Sequence, residues 1–512
     1  MLHFIKKHPL LFCMIVALAL RLCSVVFSKG FMANDDHFET IQVSYNAVQT
    51  SLLSEEGCIN WNAMKGTDVG RSPLYTLFNY SIMTVLTWLG MYDLDPMMYF
   101  IRLIHALLSL LLVYYGFKYV HLATGNKNYS LITGLILAAH FLMPYIGVRN
   151  LVEVVSADLL MPCVYFAYRG VREENNRLLM LAGILGALSW LIRFNTGLAV
   201  IPIPFAIWYL TGRIRPALYF CTGCMLIAVF GASLDAVYLG TFGRSTYNIF
   251  NSFLYVTKSP PLPQPIYMFA GLILGIFIPP FSLFFIFSIF RKKIISSHLI
   301  LFSSAAAFFI IHSFIRHKEE RFMIPIFPLL VVLGMLGLYF WLKNSNPKSL
   351  MRRIFKYSAV FAVILNLIVL PLFTFNYAHK GMVEPFVYLS RQDDVEMVVI
   401  DRTERRRFLA VSYAGYTKPD YFKVDKWEEL AALDPHSPVF NRANYFIIFS
   451  DEHADRHADS LTGYFGEISP VFHSTPSLMD AILHFMNPKY NHLNEAWVYK
   501  RNIKNPLPVD GG

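Results

Sequence analysis

As far as residue 377, long apolar runs alternate with short polar breaks. The runs fall at about 10–28, 97–117, 129–147, 154–168, 178–192, 196–211, 215–234, 266–290, 298–315, 322–342 and 353–377. Most have roughly the 17–25 residues that an α-helix needs to cross a bilayer. Backbone groups in lipid must be paired within the segment itself, so helices are the predicted spanning element. Beyond residue 380 the pattern changes. "VEMVVID" (395–401) and "YFIIFSD" (445–451) read as short buried strands ending in acids, and "SLMDAILHFM" (477–486) as an amphipathic helix.

Composition agrees with the pattern. Of 512 residues, 55% are hydrophobic and only 15% charged, which speaks against a soluble multidomain protein. The net charge of +10 does not indicate nucleic acid, because Lys and Arg cluster in short loops between apolar runs, as cytoplasmic loops do. Five of the six cysteines lie in or beside apolar segments, and only Cys58 sits in a long loop, so neither a zinc site nor a disulfide framework is indicated. "CTGC" at Cys221 lies within a spanning run and reads as small packing residues. The basic start and apolar core of the N-terminus lack a small-x-small cleavage site, so a retained first helix is expected rather than a cleaved signal.

One further run, 73–90, decides the topology. If it crosses, "KNSNPKSLMRR" faces outward and the basic rule fails along most of the chain. If it is re-entrant or interfacial, Lys6/Lys7, Lys118/Lys127, Arg169/Arg172/Arg177, Arg213/Arg215, Arg291/Lys292/Lys293 and Arg352/Arg353/Lys356 all become cytoplasmic. The expected fold is thus an all-α polytopic membrane bundle of about eleven crossings plus that one segment. A small extracytoplasmic α/β domain follows, with the N-terminus inside and the C-terminus outside. The expected units are 1–379, with outer loops 29–72 and 235–262, and 380–512.

In this topology the unusual polar residues gather on the outer face: the loop 29–72, Arg102, "RNLVE" (149–153), "RFN" (193–195), the loop 235–262 and "RHKEER" (316–321). Ionisable groups at membrane depth are expensive and usually mark a functional cavity. Snorkelling explains one such residue but not five groups on one side.

Within these segments "ANDDHFET" carries Asp35 and Asp36 just beyond the first helix. A carboxylate there can take the proton of an attacking sugar hydroxyl. It can equally cap a helix, sit in a solvated loop or, with His37, ligate a metal. Trp61 in "INWN" and Tyr75 in "GRSPLY" have the character of interface anchors, and Arg71 can hold a phosphate or a lipid headgroup. Asp235 ends a span, and the aromatic and Asn residues of 247–255 suit sugar faces and an interfacial helix equally. In "RHKEERF", a helix starting nearby would put His317, Glu320 and Arg321 on one face. Arg and Lys there can grip a phosphate, Arg by a forked two-point contact. The bland alternative is a self-neutralising cluster at a helix start.

At these residues the chain resembles the multispanning mannosyltransferases that use dolichyl- or polyprenyl-phosphate mannose (glycosyltransferase family twenty-two of the GT-C superfamily). "HKEERF" (317–322) matches that family's hallmark segment closely. "NDDHFE" (34–39) resembles its first-loop Pro-Asp-Glu-x-x-Gln element, and "NWN…GRSPLYTLF" its Thr-Trp-Glu…Arg-Ser-Tyr-x-Tyr-Pro element. "RNLVEVV" (149–155) is similar to its Arg-x-x-x-Glu element, "LIRFN" to Arg-Pro-Thr, and "LDAVYLG…NIFNSFLY" to Asp-x-x-Tyr-Gly…Asn-Phe-x-x-Tyr-Asn. The order is kept over roughly 30–340. Asn34, Asp36, Glu39, Asn62 and Pro73 depart from the family pattern, all on the acceptor side, and the tail resembles no named family.

The resemblance implies a GT-C helical bundle with its active site on the outer side. It implies an inverting transfer of mannose from a polyprenyl-phosphate donor to a lipid-linked or surface glycan acceptor. Asp35, with Asp36 beside it, is the implied general base. Lys318 and Arg321 lead the candidates for the donor phosphate, with Arg193 and Arg71 behind. His317, Glu319, Glu320, Arg149, Glu153, Asp235, Trp61 and Tyr238 complete the expected substrate-binding set. Cations near a departing phosphate can replace a divalent metal, so no metal or other cofactor is expected, and no nucleic-acid partner. Membrane lipid is an expected partner. A bacterial inner membrane with undecaprenyl carrier is preferred over the endoplasmic reticulum. Three alternatives compete: the same chemistry with a pentose or glucosamine; a transporter or flippase for a lipid-linked glycan, although no internal repeat of the transporter kind is present; and a non-catalytic membrane scaffold, which leaves "RHKEER" unexplained.

Overall fold

A computed structural model describes residues 2–53, 71–258, 263–404, 409–416, 419–486 and 495–502, with positions 488 and 493. Every apolar run named above is helical. Seven helices are long and apolar enough to cross a membrane: Pro9–Phe27, Leu94–Thr124, Val152–Arg172, Phe194–Thr211, Ile214–Leu239, Glu320–Asn344 and Leu350–Thr374. Met268–Ile276 and Phe281–Ile289, bent by 117°, make an eighth if they form one span. Asn176–Ile192 and Leu299–Phe314 are apolar but shorter. By length and composition the described residues thus hold seven or eight spans, against the eleven runs expected. The 129–147 run is split between helices Lys127–Ala139 and Leu142–Ile146.

Residue chemistry sets these boundaries. Asn126 and Asn175 each accept two backbone N–H groups at a helix start. Gly125 ends the long Leu94–Thr124 helix in the left-handed region, at φ +68°, where a side chain is strained. The Asn176–Ile192 and Ile214–Leu239 helices meet almost backbone to backbone, since a Cβ on Gly183 would lie 2.0 Å from the Phe220 carbonyl oxygen. Such small-residue contacts substitute for the hydrophobic drive that lipid does not supply. The span Glu320–Asn344 is 83% buried and forms the bundle's centre, whereas Leu350–Thr374 is 11% buried and faces outward nearly all round.

The 73–90 run becomes helix Leu74–Trp88, of 15 residues. Both of its ends sit at the same end of the bundle. Arg71, just before it, pairs with Asp35 and Asp36, and Asp93, just after it, accepts the backbone N–H of Tyr416 at 3.0 Å. This segment therefore does not run from one end of the bundle to the other.

The tail forms a lobe. Helix Lys380–Leu389 leads into a five-stranded sheet of β1 (Met397–Asp401), β2 (Asp420–Val424), β3 (Ala443–Ile448), β4 (Ile468–Ser474) and β5 (Ala496–Arg501). Strand order is β2-β1-β3-β5-β4, with β2, β1 and β3 parallel and β5 antiparallel to both neighbours. Both expected strands and the amphipathic helix, Leu478–Met486, are present. The lobe does not have a core of its own on every side. One apolar cluster joins Phe31, Ile41 and Tyr45 of the first loop and Met97 of the Leu94 helix to Met382, Phe386, Val398, Tyr413 and Tyr445. Gly30 bridges Ala378 so closely that a Cβ would sit 1.8 Å from the Ala378 carbonyl oxygen.

Candidate active site

The first loop enters the site as an extended residue, Ala33, followed by one helical turn, Asn34–Asp36, and a π-helical stretch, His37–Gln42. Wide π turns of this kind are frequent at functional sites. This geometry sends the two aspartates to different places. Asp36 is fully buried, where its carboxylate accepts the Val152 N–H at 3.1 Å and pairs with Arg71. Asp35 is about a third exposed and lines a cavity of about 580 Å³ with Glu39, Glu319, Glu320 and Arg321. Beneath Asp36 a buried relay fixes the loop. Thr40 donates to the Asp36 carbonyl, Asn150 to Thr40 at 2.9 Å, and Tyr75 to Asn150 at 2.6 Å, with His105 Nε2 2.7 Å from the Tyr75 hydroxyl.

Three arginines from three elements converge on these acids. Arg71 reaches Asp35 at 2.6 Å, Glu39 at 3.0 Å, and Asp36. Arg321 forks onto Asp35, with Nη1 2.8 Å from Oδ1 and Nη2 3.0 Å from Oδ2, while its Nε lies 2.7 Å from Glu319 and 3.8 Å from Glu153. Arg193, at the end of the Asn176 helix, reaches the fully buried Glu153 at 3.1 Å and stacks over Phe322. Burial alone would raise the Asp35 pKa. The hydrogen bond from Arg321 and the charges of Arg321, Arg71 and Arg193 outweigh it and hold the carboxyl at about 2. Glu39 shifts the other way, because burial exceeds the help of Arg71 and the neighbouring aspartates repel its charge. Burial works against the Arg71 cation, but the three acids around it push its pKa up.

Of the residues nominated from sequence, Asp35, Asp36, Arg71, Glu153, Arg193, Glu319 and Arg321 meet in this one cluster, and Glu320 lines the cavity. The others are placed differently. The expected common face of His317, Glu320 and Arg321 does not form, because the helix starts only at Glu320. Residue 317 is bridged to Pro263, and Glu319 is extended (φ −128°, ψ 149°). His317 is partly exposed and lies 3.3 Å from Glu319. Lys318 is buried away from the carboxylates; its ammonium donates to the carbonyls of Gln264, at 3.3 Å, and Ile315. Arg149 is a strut. It donates to the carbonyls of Lys29, Gly30 and Asn376 and to the Ser28 hydroxyl, tying the first loop to the end of the Leu350 helix. Asp235 accepts the Ser245 N–H at 3.0 Å and hydroxyl at 2.6 Å, at the start of helix Arg244–Lys258. Tyr238 is buried on the preceding helix. Trp61 lies outside the described residues.

Sequence reasoning missed Thr40 and Asn150, and read Tyr75 only as an interface anchor. Asn150 stood beside Arg149 in a quoted motif, yet nothing in its spacing marked it as a partner of the first loop. A second missed feature is a column of rings behind the Asp35 turn. Phe31 stacks on His37 (4.4 Å, 7°) and on His379 (4.7 Å, 8°), and His37 stacks in turn on Tyr413 (5.6 Å, 16°). Burial, with His379 nearby, pushes His37 down to about 3, so it stays neutral at working pH. The column joins the lobe to the residue after Asp36. Replacing Tyr413, which is 3% exposed, by Ala is expected to cost about 3–5 kcal/mol, as for other buried aromatic truncations. Thermal unfolding of the purified protein checks this, and Tyr413→Phe should keep most of the stability.

The fold and the cluster define a polytopic membrane protein whose acids and arginines form one ion-pair network beside a cavity. Residues 12–423 match the model of the Alg9-like mannosyltransferase family, and the chain belongs to that family. It is thereby a mannosyltransferase. Among individual proteins it is similar to GPI mannosyltransferase 3 of Debaryomyces hansenii, 21% identical over 400 residues (75% of this chain, 68% of that protein). It is also similar to GPI mannosyltransferase 3 of Drosophila melanogaster, 26% identical over 336 residues (62% of this chain and 55% of that protein, little more than half its length). Its fold is that of ArnT from Cupriavidus metallidurans. The crystal structure bound to undecaprenyl phosphate superposes with a TM-score of 0.62 over 97% of this chain and 99% of that one at 13% identity, and the apo form with 0.57 at 14% identity.

Proposed function

We propose that this protein moves mannose, in a single inverting displacement, from a polyprenyl-phosphate donor to a hydroxyl of a lipid-linked or surface glycan on the outer side of the membrane. The observation that carries the reading is Asp35 at the cavity, gripped at both carboxylate oxygens by Arg321. Family membership supports mannose as the sugar. That ArnT, a protein of this fold, was solved with undecaprenyl phosphate supports an isoprenoid phosphate as the carrier. Charge supports the outer side. The Val152, Asn176 and Leu350 helices each have one end at the site or its struts and Arg172, Arg177 or Arg352/Arg353 near the other.

In the displacement the acceptor oxygen bonds the anomeric carbon as the bond from that carbon to the phosphate oxygen breaks. The phosphate leaves with the electron pair, and Asp35 takes the acceptor proton. Arg321, Arg71 and Arg193 are the cations available to the departing phosphate, in the role that a divalent metal plays elsewhere. Five carboxylates (Asp35, Asp36, Glu39, Glu153 and Glu319) surround these three guanidiniums, so a phosphate enters only when an arginine changes partner. Glu39 and Glu319, 35% and 38% exposed, are the partners released at least cost. The same exchange frees Asp35, whose basicity the arginines suppress at rest.

Purified protein offered polyprenyl-phosphate mannose, glucosamine or pentose in turn is expected to transfer mannose, and to do so undiminished in EDTA. Preference for another sugar, movement of glycolipid across vesicles without product, or a requirement for a divalent metal would contradict the proposal.

A further inference from the structure

The helix Leu478–Met486 has no buried residue, although it belongs to a well-packed lobe. Among the described residues the lobe exposes six large apolar side chains, and four of them are on this helix: Leu478 (66%), Leu483 (41%), Phe485 (88%) and Met486 (72%). Asp480 and His484 take the opposite side, as helical spacing requires. The helix is locally well set, since Ser477 and Asp480 cap each other through 2.7 and 3.1 Å bonds. Its exposed face is therefore a property of a formed helix rather than of a frayed one.

Its position says what covers that face. The strand before it is tied to the segment that follows the Leu350 helix, by Ser474 to Glu384 at 2.7 Å and Lys380 to Thr475 at 3.1 Å. The Leu478 helix then packs against the Leu350–Thr374 helix itself. That helix is the least buried of the spans and shows Leu367 (61%) and Ile368 (60%) to its surroundings, with Phe375 (54%) just beyond its end. The apolar side of the Leu478 helix thus continues a surface that already faces lipid. We infer that this helix lies in the membrane interface, with Leu478, Phe485 and Met486 dipped among the acyl chains, and anchors the lobe to the leaflet on the site's side. A short amphipathic helix lying in the interface plane, apolar side down by about 5–10 Å, has this construction. The anchor would hold the lobe, and through it the ring column behind Asp35, at a fixed height above the bilayer.

The test uses the full-length wild-type protein in nanodiscs that hold one copy each. Hydroxyl radicals generated in water oxidise exposed methionines, and lipid shields them. Met225, 64% exposed on the spanning Ile214–Leu239 helix, is the internal standard for lipid cover. Met486 is expected to oxidise at least about tenfold more slowly than in the unfolded chain, as Met225 does, because acyl chains exclude the aqueous radical. Oxidation of Met486 at close to the unfolded rate while Met225 stays protected would overturn the inference. Protection that appears only in discs holding two copies would assign the face to a second chain and overturn it equally.

Discussion

Asp35→Asn is expected to lower the rate of mannosyl transfer by about 10²–10⁴-fold, the range that a positioned general base supplies. The change keeps the side chain's shape and its place at the cavity but removes the carboxylate that Arg321 meets with both terminal nitrogens, the one placed here as proton acceptor. Folding should survive, because Asp36, Glu39 and Glu153 continue to balance Arg71, Arg193 and Arg321. The pH profile of the native enzyme bears on the same residue. A carboxyl held at about 2 is ionised throughout the neutral range, so Asp35 puts no acid limb into the free enzyme's profile between about pH 5 and 8. As its pKa is depressed, the stability it adds is present at neutral pH and lost only as pH falls from about 4 toward 2. The rate of the Asp35→Asn variant, kcat/KM of the native enzyme across pH and thermal unfolding across pH measure the three effects, with gel filtration in detergent to confirm folding.

Arg321 carries the second large effect, and its two substitutions separate charge from geometry. Arg321→Ala leaves the buried Glu153 and Asp36 short of a cation, and breaking a buried pair in this way costs about 3–5 kcal/mol. Loss of folded protein is the expected outcome. Arg321→Lys keeps the charge but not the fork that meets both Asp35 oxygens while its third nitrogen reaches Glu319. The Lys variant is expected to fold and to transfer about 10²–10³-fold more slowly, the loss typical of one missing donor to a developing negative charge. Thermal unfolding and transfer rate on the same preparations distinguish the two results.

Much of this site was readable before any coordinates. Charged strings between apolar runs can lie only at helix ends, and the alternation of basic loops sorts those ends into two groups. Asp35, Arg71, Glu153, Arg193 and Arg321 could therefore be assigned to one end of the bundle from order alone. Which members of "RHKEER" turn inward was not readable. That depends on the bridge between Pro263 and His317, which delays the helix to Glu320 and sends Lys318 to carbonyls instead of to the cavity. Asp235 likewise had the residue type of a ligand but serves the nearest helix start, through Ser245. The rings of Phe31 and His37 in the first loop meet those of His379 and Tyr413 from a distant part of the chain, and no periodicity links them. Two of the lobe's five strands, β1 and β3, were legible because short apolar runs ending in acids have few other uses; the partly exposed β2, β4 and β5 carry no such run. The lobe's fusion with the first loop was not legible, since a shared core leaves no mark on either segment alone.

The account stands on Asp35 and Arg321 working as one unit, and a double-mutant cycle on transfer tests that most directly. Asp35→Asn, Arg321→Lys and the combined variant are compared with the native enzyme at the same donor and acceptor concentrations. If the carboxylate and the guanidinium act together on one donor head, the combined variant loses no more than the worse single one, because the second change removes something already absent. If the two losses multiply, the residues serve separate purposes and the shared site proposed for them does not exist.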